Sequence, residues 1–197
     1  MNVRVLRKFI VGPVALIGLA GLSSVAGAQA VVQKVIPEQS TISFVSKQMG
    51  VPVEGKFGKL DAAVQFDPKK PEASKIQIVL DINSAVIGDA DTVKELRKPA
   101  WFDAVKFPTA VFNSTSVKAL GAGKFDVLGT LTIKGNAKPV ATTVTLTQKA
   151  GTTLVEGSMP VKRLEFKLGD GEWNDVSVVA DEVLIKIKLA VSGVAAL

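Results

Sequence analysis

The chain contains no histidine, no cysteine and no tyrosine. Without the first two there can be no Ser-His-Asp or Cys-His nucleophilic site, no imidazole or thiolate metal centre and no histidine-ligated haem. Without cysteine there is also no disulfide, so stability must come from a packed core. Basic runs interleaved with aromatics are missing as well, which argues against a nucleic-acid partner. No G-x-S-x-G, G-x-x-x-x-G-K-[ST] or G-x-G-x-x-G arrangement stands at a strand-to-helix junction. Only carboxylate, lysine and serine chemistry is left for catalysis, and the expectation is a protein that is not an enzyme.

What is present begins with a targeting pattern. Arg4, Arg7 and Lys8 precede an uncharged apolar run from Phe9 to Leu22, and Ala26-Gly27-Ala28 and Ala28-Gln29-Ala30 each offer an A-x-A cleavage site. Residues 1–30 therefore read as a secretory signal peptide, cut after Ala28 or Ala30. The run is shorter than the roughly 20 apolar residues a membrane-spanning helix needs. Cleavage removes three basic residues and no acidic one, lowering the net charge from +6 to +3. An exported, mildly basic protein is expected, compatible with transient contact at an anionic membrane surface. Residues 31–197 suffice for a single domain, present as a monomer or homodimer.

From Lys75 to Asn83 the chain places Ile76, Ile78, Leu80 and Ile82 at every second position, with Lys75, Gln77 and Asp81 on the other side. Period 2 is the signature of a β-strand buried on one face. The pattern recurs at Val31–Ile36, Thr41–Lys47, Thr109–Lys118, Lys124–Lys134, Val140–Gln148, Thr152–Val161 and Asp181–Leu189. Val53–Phe66 reads as one long strand, bent where Gly55 and Gly58 interrupt it. Hairpin turns are expected at Gly121-Ala122-Gly123 and Lys149-Ala150-Gly151. The single helix candidate is Gly88–Pro99, capped by Asp89 or Asp91 and stopped by Pro99. Eight or nine amphipathic strands without a βαβ rhythm make an all-β fold, either a sandwich or an up-and-down barrel. An eight-stranded barrel can be filled by side chains or can hold one small ligand.

Three local patterns invite a chemical reading. Asp170, Glu172 and Asn174 match the first ligand positions of a calcium loop, but Asp175 stands where that loop requires Gly and Asp181 where it requires Glu. The segment reads as a polar turn anchored by Trp173, and no metal is expected. Asn113-Ser114-Thr115 fits the glycosylation pattern only by chance, inside an expected strand. Arg163 ends an apolar strand just before Leu164-Glu165-Phe166, where its charge is expected either to pair with an acid or to meet a ligand headgroup. The aromatic set is apolar without obvious polar company, which suits a chain-like lipid better than a polar metabolite.

In order, Ser40-Thr41-Ile42-Ser43-Phe44, Gly55-Lys56-Phe57, Phe66-Asp67-Pro68, Trp101-Phe102-Asp103, Phe107-Pro108-Thr109-Ala110-Val111-Phe112, Gly129-Thr130-Leu131-Thr132-Ile133-Lys134-Gly135, Arg163-Leu164-Glu165-Phe166 and Gly169-Asp170-Gly171-Glu172-Trp173-Asn174-Asp175 match a known pattern. Over essentially all of residues 31–197 the chain resembles the YceI-like family of bacterial periplasmic lipid-binding proteins. That resemblance implies an antiparallel eight-stranded lipocalin-like barrel with one short helix beside it, located in the periplasm. It implies a long-chain lipid ligand: a polyisoprenoid, an isoprenoid quinone or a fatty-acid-like amphiphile, with no further cofactor. The lipid-binding residues expected on this basis are Phe44, Ile78, Leu80, Phe112, Phe125, Leu131, Val144, Ile185 and Ile187. Trp101 and Phe102 join them on the helix side, and Arg163 is the candidate headgroup contact. Two alternatives stand beside this reading: a stress-related structural barrel filled by its own side chains, and an enzyme acting on a bound lipid through Asp103, Lys134 or Arg163. The chain departs from many relatives in lacking a His near Lys47-Gln48.

Overall fold

The computed structural model describes residues 33–197, and the expected leader lies outside them. Eleven strands run in chain order: β1 (Lys34–Val35), β2 (Thr41–Gln48), β3 (Val51–Phe57), β4 (Leu60–Gln65), β5 (Lys75–Asp81), β6 (Ala85–Ile87), β7 (Thr109–Gly121), β8 (Lys124–Ile133), β9 (Asn136–Lys149), β10 (Thr152–Lys162) and β11 (Glu182–Ser192). One α-helix, α1 (Ala90–Leu96), lies between β6 and β7. The pairing is antiparallel throughout, in the order β4-β5-β7-β8-β9-β10-β11-β2-β3-β6, with β1 added to β11.

The two ends of that order belong to one bent hairpin. β3 runs on into β4 and β5 into β6, so the sheet closes through chain continuity. Counting each bent strand once gives eight staves, the barrel expected from the resemblance. The bend has a visible cause in the register. Phe57 pairs with Ala85 and Leu60 with Leu80, so two residues on one side face four on the other. The surplus is taken up by a 3₁₀ turn at Ile82–Ser84, where Asp81 accepts from the Asn83 N–H. The Gly58 N–H donates to the Ser84 carbonyl at 3.0 Å and closes the corner. Ile82, the last member of the apolar alternation, thus leaves the strand but stays 2% exposed in the core.

Two stretches of wall lack a backbone ladder. β4 is not hydrogen-bonded to β1; instead the Gln33 carboxamide donates to the Phe66 carbonyl and accepts from the Phe66 N–H at 2.8 Å, imitating a strand pair. The β9–β10 ladder stops at Val144–Gly157, and beyond it the Thr142 hydroxyl donates to the Ser158 carbonyl at 3.0 Å. β9 starts earlier than the sequence suggested, at Asn136, and runs through Pro139. A proline is tolerated there because that part of β9 pairs with β8 alone.

Four hairpins turn on the same two-residue device. Met49-Gly50, Ala122-Gly123, Lys134-Gly135 and Ala150-Gly151 all have positive φ at both positions, between +48° and +80°. That is the type I′ turn, whose twist suits flanking strands. The helix is shorter than the expected Gly88–Pro99 span. Asp89 caps it, accepting from the Asp91 and Thr92 N–H groups at 3.1 and 2.8 Å.

A left-handed conformation at a residue with Cβ is disfavoured, and asparagine tolerates it best. Ala122→Asn and Ala150→Asn are each expected to raise stability by about 0.5–1 kcal/mol. The check is a higher urea midpoint with an unchanged denaturant slope.

Candidate functional site

Alternation places one face of every stave inward, and the inward residues do not quite fill the barrel. They leave a cavity of about 130 Å³. Its wall includes Val64 and Phe66 from β4 and the residue after it, Ile76, Ile78 and Leu80 from β5, Phe112 and Val117 from β7, Phe125 and Leu131 from β8, and Val144 and Leu146 from β9. Val155, Met159, Ile185, Ile187 and Val194 complete the opposite side. Among the described residues no charged one lines it, and its polar members are Thr142 and Thr153.

Of the residues singled out from sequence, Ile78, Leu80, Phe112, Phe125, Leu131, Val144, Ile185 and Ile187 come together on this wall. Phe44, Trp101, Phe102 and Arg163 are not among its lining residues. The Phe44 ring folds across the strand over Gly55, its register partner, where any Cβ would collide with it, and packs on Phe57 at 5.6 Å. Phe102 packs edge-on against Phe57 at 6.5 Å and joins Trp101 against a cluster of Ile82, Ala104, Ile133, Val161, Phe166 and Leu168. That cluster plugs the helix end of the barrel.

Arg163 fastens the plug. It sits in a 3₁₀ turn, Arg163–Phe166, and is 2% exposed. It forms neither the ion pair nor the cavity contact considered from sequence. Its Nε donates to the Ala180 carbonyl; one terminal nitrogen donates to Leu168 and Gly169, the other to Trp173 and Val179, over 2.7–3.1 Å. The guanidinium also lies 5.6 Å from the Trp101 ring centre, and Trp101 packs on Trp173 at 5.9 Å. Burial pulls its pKa below the ordinary arginine value, with Asp181 and Asp170 opposing. The charge is kept because five carbonyl dipoles replace water. The segment expected as a polar turn anchored by Trp173 contains the 3₁₀ turn Gly171–Trp173, whose Trp173 carbonyl is one of those five acceptors.

The other end of the barrel is held differently. Beyond β11 the chain crosses it, with Val194 against the cavity. The Gln148 carboxamide donates to the Ala195 carbonyl at 2.8 Å and accepts from the Leu197 N–H at 3.2 Å. The same amide donates to the Thr153 hydroxyl at 3.1 Å.

Several wall residues were not singled out beforehand. Thr142 and Thr153 stand in the inward period of their strands, so alternation alone would have found them. Val117 was hidden because a bulge between Ser114 and Ser116 shifts the inward positions of β7 from even to odd numbers. Val194 lies past the last periodic residue, where sequence carries no such signal.

A closed antiparallel barrel around an apolar cavity, with one short helix at its side, defines a lipocalin-like fold. The family model described as the YceI-like domain matches residues 33–191, and the chain belongs to that family. A "UPF0312 protein" of Yersinia pestis (strain Pestoides F) is 38% identical over 104 residues, 52% of this chain and 54% of that one. A "UPF0312 protein" of Azotobacter vinelandii is 40% identical over 86 residues, 44% and 45% of the two chains. The chain thus matches about half the length of these curated relatives. Among solved structures, BcnA of Burkholderia cenocepacia is 43% identical, with a TM-score of 0.77 over 80% of this chain and 99% of that one. A polyisoprenoid binding domain from Saccharophagus degradans shares the fold at 18% identity, with a TM-score of 0.68 over 82% and 98%.

Replacing Arg163 by Met would strand five backbone carbonyls at once, those of Leu168, Gly169 and Val179 buried and those of Trp173 and Ala180 partly so. The expected loss is about 3 kcal/mol or more, seen as a fall in Tm of roughly 6 °C or more for a domain of this size. Arg163→Lys, with three donors on one nitrogen, should recover only part of it.

Proposed function

We propose that the protein is a periplasmic carrier that takes a long-chain isoprenoid or related amphiphilic lipid into the barrel interior and performs no chemistry on it. The observation that carries this reading is the apolar cavity built from the inward faces of all eight staves, with no charged residue among the described ones on its wall. Such a surface binds by excluding water from hydrocarbon and offers a polar metabolite almost nothing to recognise. The shared fold with a polyisoprenoid binding domain supports the same ligand class, and the leader pattern supports export. Brief contact with a membrane surface would supply and remove the cargo.

The residues considered for catalysis support a non-catalytic reading. Arg163 holds five carbonyls. The Lys134 ammonium donates to the Lys167 carbonyl at 2.6 Å. Asp103 sits in a left-handed turn, its N–H bonded to the Lys98 carbonyl. None of the three lines the cavity. The competing reading, a structural barrel filled by its own side chains, draws on the modest cavity volume, below the ~300 Å³ at which ligand pockets usually begin.

Organic extraction of natively purified protein followed by mass spectrometry separates the two. A stoichiometric prenyl lipid, or uptake of an added one, is the expected result; neither being found would sink the carrier reading. Leu80→Trp, which adds an indole to the wall between Ile78 and Ala110, is expected to abolish uptake while the far-UV circular dichroism stays unchanged.

A further inference from the structure

The charge of the barrel is unevenly spread. The rim of the Val194 end is made of residues 33–34, 66–74, 118–126, 148–152 and 192–197, around the turns at Ala122-Gly123 and Ala150-Gly151. These segments adjoin: Lys34 pairs with Ser192, Phe66 packs edge-on against Phe125 at 5.1 Å, and the Leu146 N–H donates to the Gly123 carbonyl at 2.7 Å. Six exposed lysines stand on this rim, Lys34, Lys69, Lys70, Lys118, Lys124 and Lys149, against three carboxylates, Asp67, Glu72 and Asp126. The surplus of three equals that of residues 31–197 as a whole, so the remainder of the barrel is neutral. None of the six is paired, because the four ion pairs among the described residues lie elsewhere. On the same rim Leu120 and Leu197 are 58% and 49% exposed, and Ala122, Ala150, Ala195 and Ala196 are exposed with them.

We propose that this rim is a docking face for the surface of an anionic phospholipid bilayer, placed so that the lightly held end of the barrel opens onto the membrane. The proposal rests on the carrier reading above and names the surface through which the cargo passes. A barrel whose whole charge surplus lies at one end is turned that end first toward anionic headgroups. The aliphatic tips on the rim then enter the interface, where burial of hydrocarbon adds to the attraction of charge. Val194 and the Gln148 clip belong to the same end, so a tail leaving the cavity there meets lipid rather than water. The helix end exposes more apolar side chain, with Met49, Val51, Val105 and Val176 each more than half exposed. It has no charge surplus to orient it, and the plug held by Arg163 closes the barrel behind it.

The test mixes the purified protein, without added cargo, with vesicles of phosphatidylcholine alone or of phosphatidylcholine and phosphatidylglycerol in equal parts, and measures co-sedimentation. The mixed vesicles are expected to bind about tenfold tighter or more, with the gain lost in about 0.5 M salt. Lys118→Gln, Lys124→Gln and Lys149→Gln combined should weaken that binding by about tenfold or more, each lysine being worth about fivefold at an anionic surface. Lys47→Gln, Lys106→Gln and Lys162→Gln combined, at exposed lysines of the helix end, should change it little, and both variants should keep the parent's urea midpoint. Because the chain has no cysteine, Leu120→Cys and Val105→Cys each accept a single polarity-sensitive dye, and only the dye at residue 120 is expected to shift to the blue on mixed vesicles. Equal binding to the two kinds of vesicle, equal effects of the two triple variants, or a shift at residue 105 instead of 120 overturns the proposal. A dye at residue 120 that stays in water on bound vesicles overturns it too, in favour of the purely ionic attraction a soluble acidic partner would use. Protein that docks in this way but yields no lipid on extraction sinks the carrier reading alone; lipid-loaded protein that ignores the vesicles sinks only the docking face.

Discussion

Everything in this molecule depends on a sheet having to close. An apolar sheet face must be covered, and unpaired strand edges invite association; closure removes most of that edge and covers the face in one step. Here it is made by a single long hairpin that shifts register by two residues at Gly58-Lys59 and Asp81–Ser84. One half of the hairpin can then pair with β7 while the other pairs with β2. Without that offset the hairpin would be one straight ribbon, and the residues from Ile76 to Ile187 would line an open sheet.

The two ends of the barrel are closed by different chemistry, and the difference gives it a direction. At the helix end a buried guanidinium gathers five backbone carbonyls from Leu168 to Ala180, with Trp101 against its face. Moving that end exposes a charge and several carbonyls together. At the far end two side-chain amides do the holding. Gln33 clips Phe66 to the first strand, and Gln148 clips Ala195 and Leu197 across the mouth. Opening there breaks a few neutral hydrogen bonds that water can replace, each worth about 1 kcal/mol net. The yielding end is also where Val194 and Thr153 meet the cavity.

Sequence reading reached the strands because their information was local, whereas the choice of a barrel over a sandwich came with the family resemblance. Period-2 alternation, the Ala-Gly turn pairs, the bent Val53–Phe66 strand and the Asp89 cap each act over a few residues. Alternation marked the residues from Ile78 to Ile187 as one apolar face, and the resemblance made that face a cavity wall. Arg163, Phe44, Trp101 and Phe102 lie off the cavity wall, at places set by contacts with distant chain. Phe44 covers a glycine on the neighbouring strand, and Arg163 is tied to carbonyls as many as 17 residues away. A bulge cannot be seen in an unpaired strand either, so the parity change that turns Val117 inward stayed hidden. These are failures of register and tertiary contact, where an alternating pattern has nothing to say.

The size of the cavity bears on how a carrier of this design would work. A twenty-carbon tail bound at the efficiency of drug-sized ligands would gain roughly 6 kcal/mol; full burial of each methylene sets an upper limit near 16 kcal/mol. A cavity of about 130 Å³ cannot reach that limit as it stands. The tail must first push side chains aside, and among the wall residues Val194 rests on a segment tied down by one amide. Part of the burial energy is then offset by displacing Val194 and breaking the Gln148 bonds, which pulls the net value toward the lower figure. The same displacement that admits a tail would also release it. Such a balance favours exchange over storage, and it follows from a barrel tied firmly at one end and lightly at the other.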